Sequence, residues 1–92
     1  MDDDEVIIVP IEDSIDLHTF RPDEVSLLLN DYFQACMEKG FKEVRVIHGK
    51  GTGSLKAGVI YFLEKSSLVE SYTQAPPDRG GWGATLVKLK GR

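Results

Sequence analysis

The sequence holds two histidines, His18 and His48, each inside a short polar cluster flanked by apolar residues. His18 lies in Ile15-Asp16-Leu17-His18, and His48 opens His48-Gly49-Lys50-Gly51-Thr52-Gly53. An imidazole has a reference pKa of roughly 6.5, so either ring can serve as general base or acid near neutral pH. Asp16 can orient a histidine or help to bind a divalent cation such as magnesium, although one carboxylate makes a poor metal site. The glycine run offers successive backbone N–H groups, and Lys50 adds positive charge beside them, a combination suited to a phosphate. It is not a G-x-x-x-x-G-K-[ST] loop, and Ser54 stands where a dinucleotide fingerprint needs its third glycine. A third cluster, Gly80-Gly81-Trp82-Gly83, carries an indole able to stack on an unpaired base or to pack the loop onto a sheet edge. Each cluster alone also has a purely structural reading, as a solvated strand end or a tight turn.

The elements between these clusters decide whether they meet. Val6-Ile7-Ile8-Val9 reads as a short strand or extended arm, and with the acidic residues before it makes a tail over 1–14. Ile15 to His18 is a short candidate strand with Ile15 and Leu17 on one face. Pro22 suits a first helical position, and Asp23 and Glu24 complement the helix dipole. Val25, Leu28, Leu29, Tyr32, Phe33, Cys36 and Met37 then form an apolar stripe that Gly40 ends. Cys36, inside that stripe, is expected to be a buried thiol. Phe41 to Ile47 is the clearest strand, with its β-branched residues. A second helix follows the glycine turn, capped by Thr52 or Ser54, with Leu55, Val59, Phe62 and Leu63 facing inward. Leu68 to Ala75 and Ala84 to Leu89 read as strands separated by a Pro- and Gly-rich loop.

The order β-α-β-α-β-β implies an α/β (α+β two-layer) sandwich, with a mixed four-stranded sheet and two helices. The last link is too short for a helical crossover, so the last strand runs antiparallel. The two histidine clusters end parallel strands and the glycine-tryptophan cluster begins the antiparallel one. All three are expected on one rim, the edge where α/β sheets gather ligands.

Ile15-Asp16-Leu17-His18, His48-Gly49-Lys50-Gly51-Thr52-Gly53-Ser54-Leu55-Lys56 and Gly80-Gly81-Trp82-Gly83-Ala84-Thr85-Leu86-Val87-Lys88-Leu89 resemble the three signature motifs of the Smr (small MutS-related) domain. The resemblance covers about residues 15 to 90 and places one domain over 15–92. It implies a fold like the C-terminal domain of translation initiation factor three, with four strands in one sheet and two helices on one side. It also implies nucleic-acid work: DNA nicking in some members, RNA cleavage or binding in others, and a stand-alone form of the domain. Two positions depart from the pattern. Ile15 replaces the usual leucine, and Thr19 follows His18 where many members have glycine, so that Thr19-Phe20 narrows the approach to the rim.

The candidate chemistry is phosphodiester cleavage by a DNA- or RNA-acting endonuclease. Asp16, His18 and His48 are its candidate catalytic groups, and His48, which ends the clearest strand and opens the glycine turn, is the first choice for chemistry or phosphate contact. Gly49, Lys50, Gly51, Thr52 and Gly53 are candidate phosphate ligands, and Arg21, Lys56, Arg79 and Lys88 candidate backbone contacts, with Trp82 for a base. His48 is expected at an exposed rim, where its loss would cost under about 1 kcal/mol of stability. The alternatives are a DNA- or RNA-binding module without cleavage and a protein-interaction domain using the open sheet face.

Composition limits these classes. With 92 residues, 41% hydrophobic and 28% charged, the chain makes one small domain. One cysteine excludes an internal disulfide and a cysteine zinc cluster. No apolar run approaches a membrane span, and the acidic start is unlike a secretory signal, so a cytoplasmic monomer is expected. The net charge of -4 comes from Asp2, Asp3, Asp4 and Glu5, because the remaining acidic residues equal the 11 basic ones. Bulk charge therefore lends nucleic-acid binding no support, and any such site rests on local charge.

Overall fold

Short apolar stripes and β-branched runs settle into six main elements in the computed structural model, which describes residues 12–50 and 53–90. They are β1 (Ser14–Asp16), α1 (Val25–Glu38), β2 (Glu43–Ile47), α2 (Ser54–Lys65), β3 (Val69–Gln74) and β4 (Ala84–Leu89). The sheet order is β1-β2-β4-β3. β1 pairs with β2 in parallel, and β4 runs antiparallel to both β2 and β3. The segment between β3 and β4 holds only two short 3-10 turns, at Pro77–Arg79 and Gly81–Gly83. The chain must therefore reverse, and β4 inserts between β2 and β3, with the ends of β1 and β2 and the start of β4 on one rim. The tail and arm expected over 1–14 lie outside the described residues up to position 11.

Burial explains the two layers. On β2, Val44 and Val46 are buried while Glu43 is exposed and Arg45 and Ile47 are half-buried, so one sheet face is closed and the other partly open. Val25, Leu29, Phe33 and Cys36 of α1 and Val59 and Leu63 of α2 join Val44, Val46, Val87 and Leu89 in a single core. Both helices thus cover the same face. Phe33 anchors this core, fully buried between the rings of Tyr32 and Phe62 at centroid distances of 5.9 and 6.1 Å. Cys36 is buried as expected, and desolvation pushes its thiol pKa up, which disfavours the reactive thiolate.

Caps set the element ends. The Arg21 amide donates to Glu24 Oε1 at 2.9 Å, and Pro22–Glu24 forms a 3-10 turn before the α-helix proper. At the other end Phe41 N–H donates to Cys36 O and Gly40 N–H to Met37 O, a Schellman closure with Gly40 at φ 87°. Three expectations change. β2 begins at Glu43, because Phe41 is held by that closure. β1 ends at Asp16: the Leu17 amide still reaches Ile47 O, but the His18 amide turns back to the Asp16 carboxylate. The N-cap of α2 is Gly53 at φ 94°, with no side-chain cap, so Ser54 does not cap the helix; Thr52 lies outside the described residues.

Candidate functional site

The rim begins with Asp16 and His18. Asp16 Oδ1 accepts the His18 amide at 3.0 Å and the His18 ring at Nδ1. A carboxylate only accepts, so Nδ1 carries a proton, and in the neutral ring Nε2 is then the nitrogen that holds the lone pair. Among the described residues nothing bonds Nε2. These bonds from His18, the amide first and the ring second, hold the Asp16 carboxyl below its ordinary value of 3.8. An ionised carboxylate fixing one tautomer of an exposed imidazole is the arrangement a general base requires.

His48 differs at every point. The residue is only 4% exposed, which corrects the expectation of a ring at an exposed rim. Nδ1–H donates to Gly49 O at 3.1 Å, and Nε2 accepts from the Thr85 hydroxyl at 2.9 Å. Both nitrogens are committed to the fold. Desolvation is the main cause lowering the His48 pKa below 6.5; the Gly49 bond opposes it and the Lys56 charge assists it. The alternation along β2 explains the placement, since Val44, Val46 and His48 share the helix-covered face.

The glycine turn is stitched to β4. The amides of His48 and Gly49 both donate to Gly83 O, at 3.0 and 2.9 Å. A Cβ on Gly83 would come within 3.1 Å of Lys50 Cγ, so a glycine there admits the turn. A Cβ on Gly49, at φ 83°, would touch His18 Cβ at 3.5 Å, which places the two histidine clusters side by side.

The rim encloses a cleft of about 480 Å³ lined by His18, Phe20, Pro22, His48, Gly49, Lys50, Gly53, Ser54, Leu55 and Lys56. A second hollow of about 170 Å³ lies on Gly49, Lys50, Gly53, Lys56 and the 61% exposed Trp82. Asp16, His18, His48, Gly49, Lys50, Gly53, Lys56 and Trp82 therefore converge; Gly51 and Thr52 lie outside the described residues. Three predicted contacts do not join them. Arg21 is exposed and 3.5 Å from Asp23, lining neither hollow. Arg79 lies in the loop before Trp82 and likewise lines neither, its carbonyl accepting from Arg45 Nη1. Lys88 pairs across the sheet with Glu43, at the end of β2 away from the rim. No group of three His, Cys, Asp or Glu side chains placed to hold a metal ion occurs among the described residues, and in the Asp16 carboxylate Oδ1 is engaged by His18.

Sequence reasoning missed Thr85, whose hydroxyl seats His48. The signal was a polar residue on the inward alternation of β4 beside Val87 and Leu89. It also gave Phe20 no contact role, although that ring is 40% exposed on the cleft.

This arrangement is that of a small α/β domain with a basic, histidine-bearing rim. The family model described as Smr domain matches residues 15–90, and the chain belongs to that family. Endonuclease MutS2 of Enterococcus faecalis is 40% identical over 76 residues, covering 83% of this chain and 10% of that protein. Endonuclease MutS2 of Lactobacillus helveticus is 41% identical over 76 residues, with the same shares. The chain thus spans about a tenth of the length of these relatives. Among solved structures, the Smr domain of Thermus thermophilus MutS2 superposes with TM-score 0.81 and 33% identity, covering 86% of this chain and 99% of that one. YdaL, a stand-alone small MutS-related protein from Escherichia coli, gives 0.79 and 28%, covering 88% and 66%. No helix among the described residues is long and apolar enough to cross a membrane.

Proposed function

We propose that the rim is a phosphodiester-cleaving nucleic-acid site in which His18 is the general base. The observation that carries this reading is the Asp16–His18 pair, which holds a proton-accepting nitrogen at the mouth of a cleft that also contains Lys50 and Lys56. In this mechanism Nε2 of His18 takes a proton from the attacking hydroxyl or water as its oxygen bonds to phosphorus, and the bond from phosphorus to the leaving oxygen breaks as that oxygen takes a proton from solvent. The cations of Lys50 and Lys56, with the uncapped N-terminus of α2, stabilise charge developing on the phosphoryl oxygens. Asp16 stabilises the imidazolium that forms. His48 is a positioning residue: its ring fixes the Gly49 carbonyl and, through Thr85, the seat of the glycine turn on β4. Similarity to proteins named endonuclease supports the reaction class.

Incubation of the full chain with supercoiled DNA and with structured RNA, with and without magnesium, tests this reading beside His18→Ala. Cleavage lowered by about 100-fold or more in His18→Ala, without loss of folding, is the expected result. If neither substrate is cut while both are bound, the rim is a binding module and His18 is no general base.

A further inference from the structure

The Gly83 carbonyl takes the His48 and Gly49 amides, so the position of the loop 76–83 sets that of the glycine turn. Trp82 is 61% exposed and does not anchor this loop. The Arg79 and Gly81 amides donate to Pro76 O and the Gly83 amide to Gly80 O. Those bonds shape the loop from within. Among the described residues one side chain reaches it from outside: Arg45 of β2, whose Nη1–H donates to Arg79 O at 3.2 Å. Arg45 lines neither hollow of the rim. It alternates with Val44 and Val46, so it lies on the sheet face turned away from the helices, between Ser14 of β1 and Leu86 of β4. There it is half-buried, and its Nε is buried with no hydrogen-bond partner among the described residues. A buried unpaired donor costs free energy. The stem alone would be served by an aliphatic residue, as at Ile47 on the same face. The guanidinium is explained by its tip, since a charged donor on a carbonyl makes a stronger bond than a neutral one. We propose that Arg45 is a positioning residue of the rim: from the reverse face of the sheet it holds the loop 76–83 and, through Gly83 O, the glycine turn. Its consequence for cleavage rests on the function proposed above; its hold on the loop does not.

The test begins on the full chain without nucleic acid. In the parent, NMR of the arginine side chains should show the Arg45 Nη1–H as a resolved, slowly exchanging proton; a freely rotating guanidinium overturns the proposal. Arg45→Met keeps an unbranched stem and removes every donor. Hydrogen exchange at the Gly81, Gly83, His48 and Gly49 amides should then quicken about tenfold, the scale of one charge-assisted hydrogen bond, with the Leu29 and Phe33 amides of α1 unchanged. Trp82 is the single tryptophan, and its fluorescence anisotropy should fall as the loop loosens. Arg45→Lys, which retains a donor, should restore much of both readouts. Arg45→Gln, too short to span the gap, should behave as Arg45→Met and replaces it if that protein does not fold. Equal quickening at the loop and at α1 makes Arg45 a stabilising residue only and overturns the proposal, as does no quickening at all. With supercoiled DNA and structured RNA, Arg45→Met should slow cleavage about tenfold and Arg45→Lys less. If the parent cuts neither substrate while the loop amides respond as expected, the function proposed above fails and the hold of Arg45 on the loop stands.

Discussion

His18 and His48 stand beside each other on one rim, in one cleft, yet the fold surrounds them differently. His18 leaves the sheet and is exposed, with one nitrogen tied to Asp16 and the other open to the cleft. His48 stays in the strand alternation and is buried, with both nitrogens tied to neighbouring chain. In the proposed function an imidazole serves as base or brace according to whether its second nitrogen has a partner. Residue type and rim location are shared, so neither decides the matter.

Four measurements break or sharpen this contrast. The largest effect is expected from His18→Ala, which should lower cleavage by about 100-fold or more, the scale of losing a general base. Its urea midpoint should stay near that of the parent, since the ring is exposed. His48→Ala should do the reverse in kind. Loss of its ring strands the Thr85 hydroxyl and the Gly49 carbonyl, at an expected cost of about 1–3 kcal/mol in urea unfolding. A His48→Ala protein of parental stability would remove the brace.

Asp16→Asn tests the orienting carboxylate. Cleavage should fall about tenfold, the size of one charge-assisted hydrogen bond, with little change in substrate affinity. An unchanged rate would detach Asp16 from the mechanism.

The pH dependence of stability gives a subtler difference. The folded His48 pKa is lowered below 6.5, so the unfolded chain binds more protons in the interval between the two values. Stability should therefore fall as pH drops below about 6.5 and level off beneath the folded pKa. His48→Gln should flatten that slope. Asp16 acts in a separate window: its pKa is depressed below 3.8, so its contribution is lost only at more acid pH, as pH falls through its folded value.

Much of this molecule is legible from the chain. Helix α1 is marked by its apolar stripe, by Pro22 and by Gly40, and the bounds of β4 coincide with the run Ala84 to Leu89. These features are local: period, cap chemistry and β-branching act within a few residues. The convergence of three motifs on one rim also follows from chain order, because short links force reversals and helices permit parallel return. What the chain did not determine is the state of each side chain at that rim. Read from the sequence, His48 is favoured over His18 for the chemistry because it ends the clearest strand and opens the glycine turn, and Lys88 stands beside Lys56 as an equal phosphate contact. Tertiary packing separated them. Thr85 reached His48 only because β4 slid between β2 and β3, and α2 settled over the same face. Lys88 went to the far end because β4 runs away from the rim. A nitrogen's free lone pair and a lysine's distance from a cleft depend on neighbours remote in sequence, and those neighbours exist only once the sheet has closed.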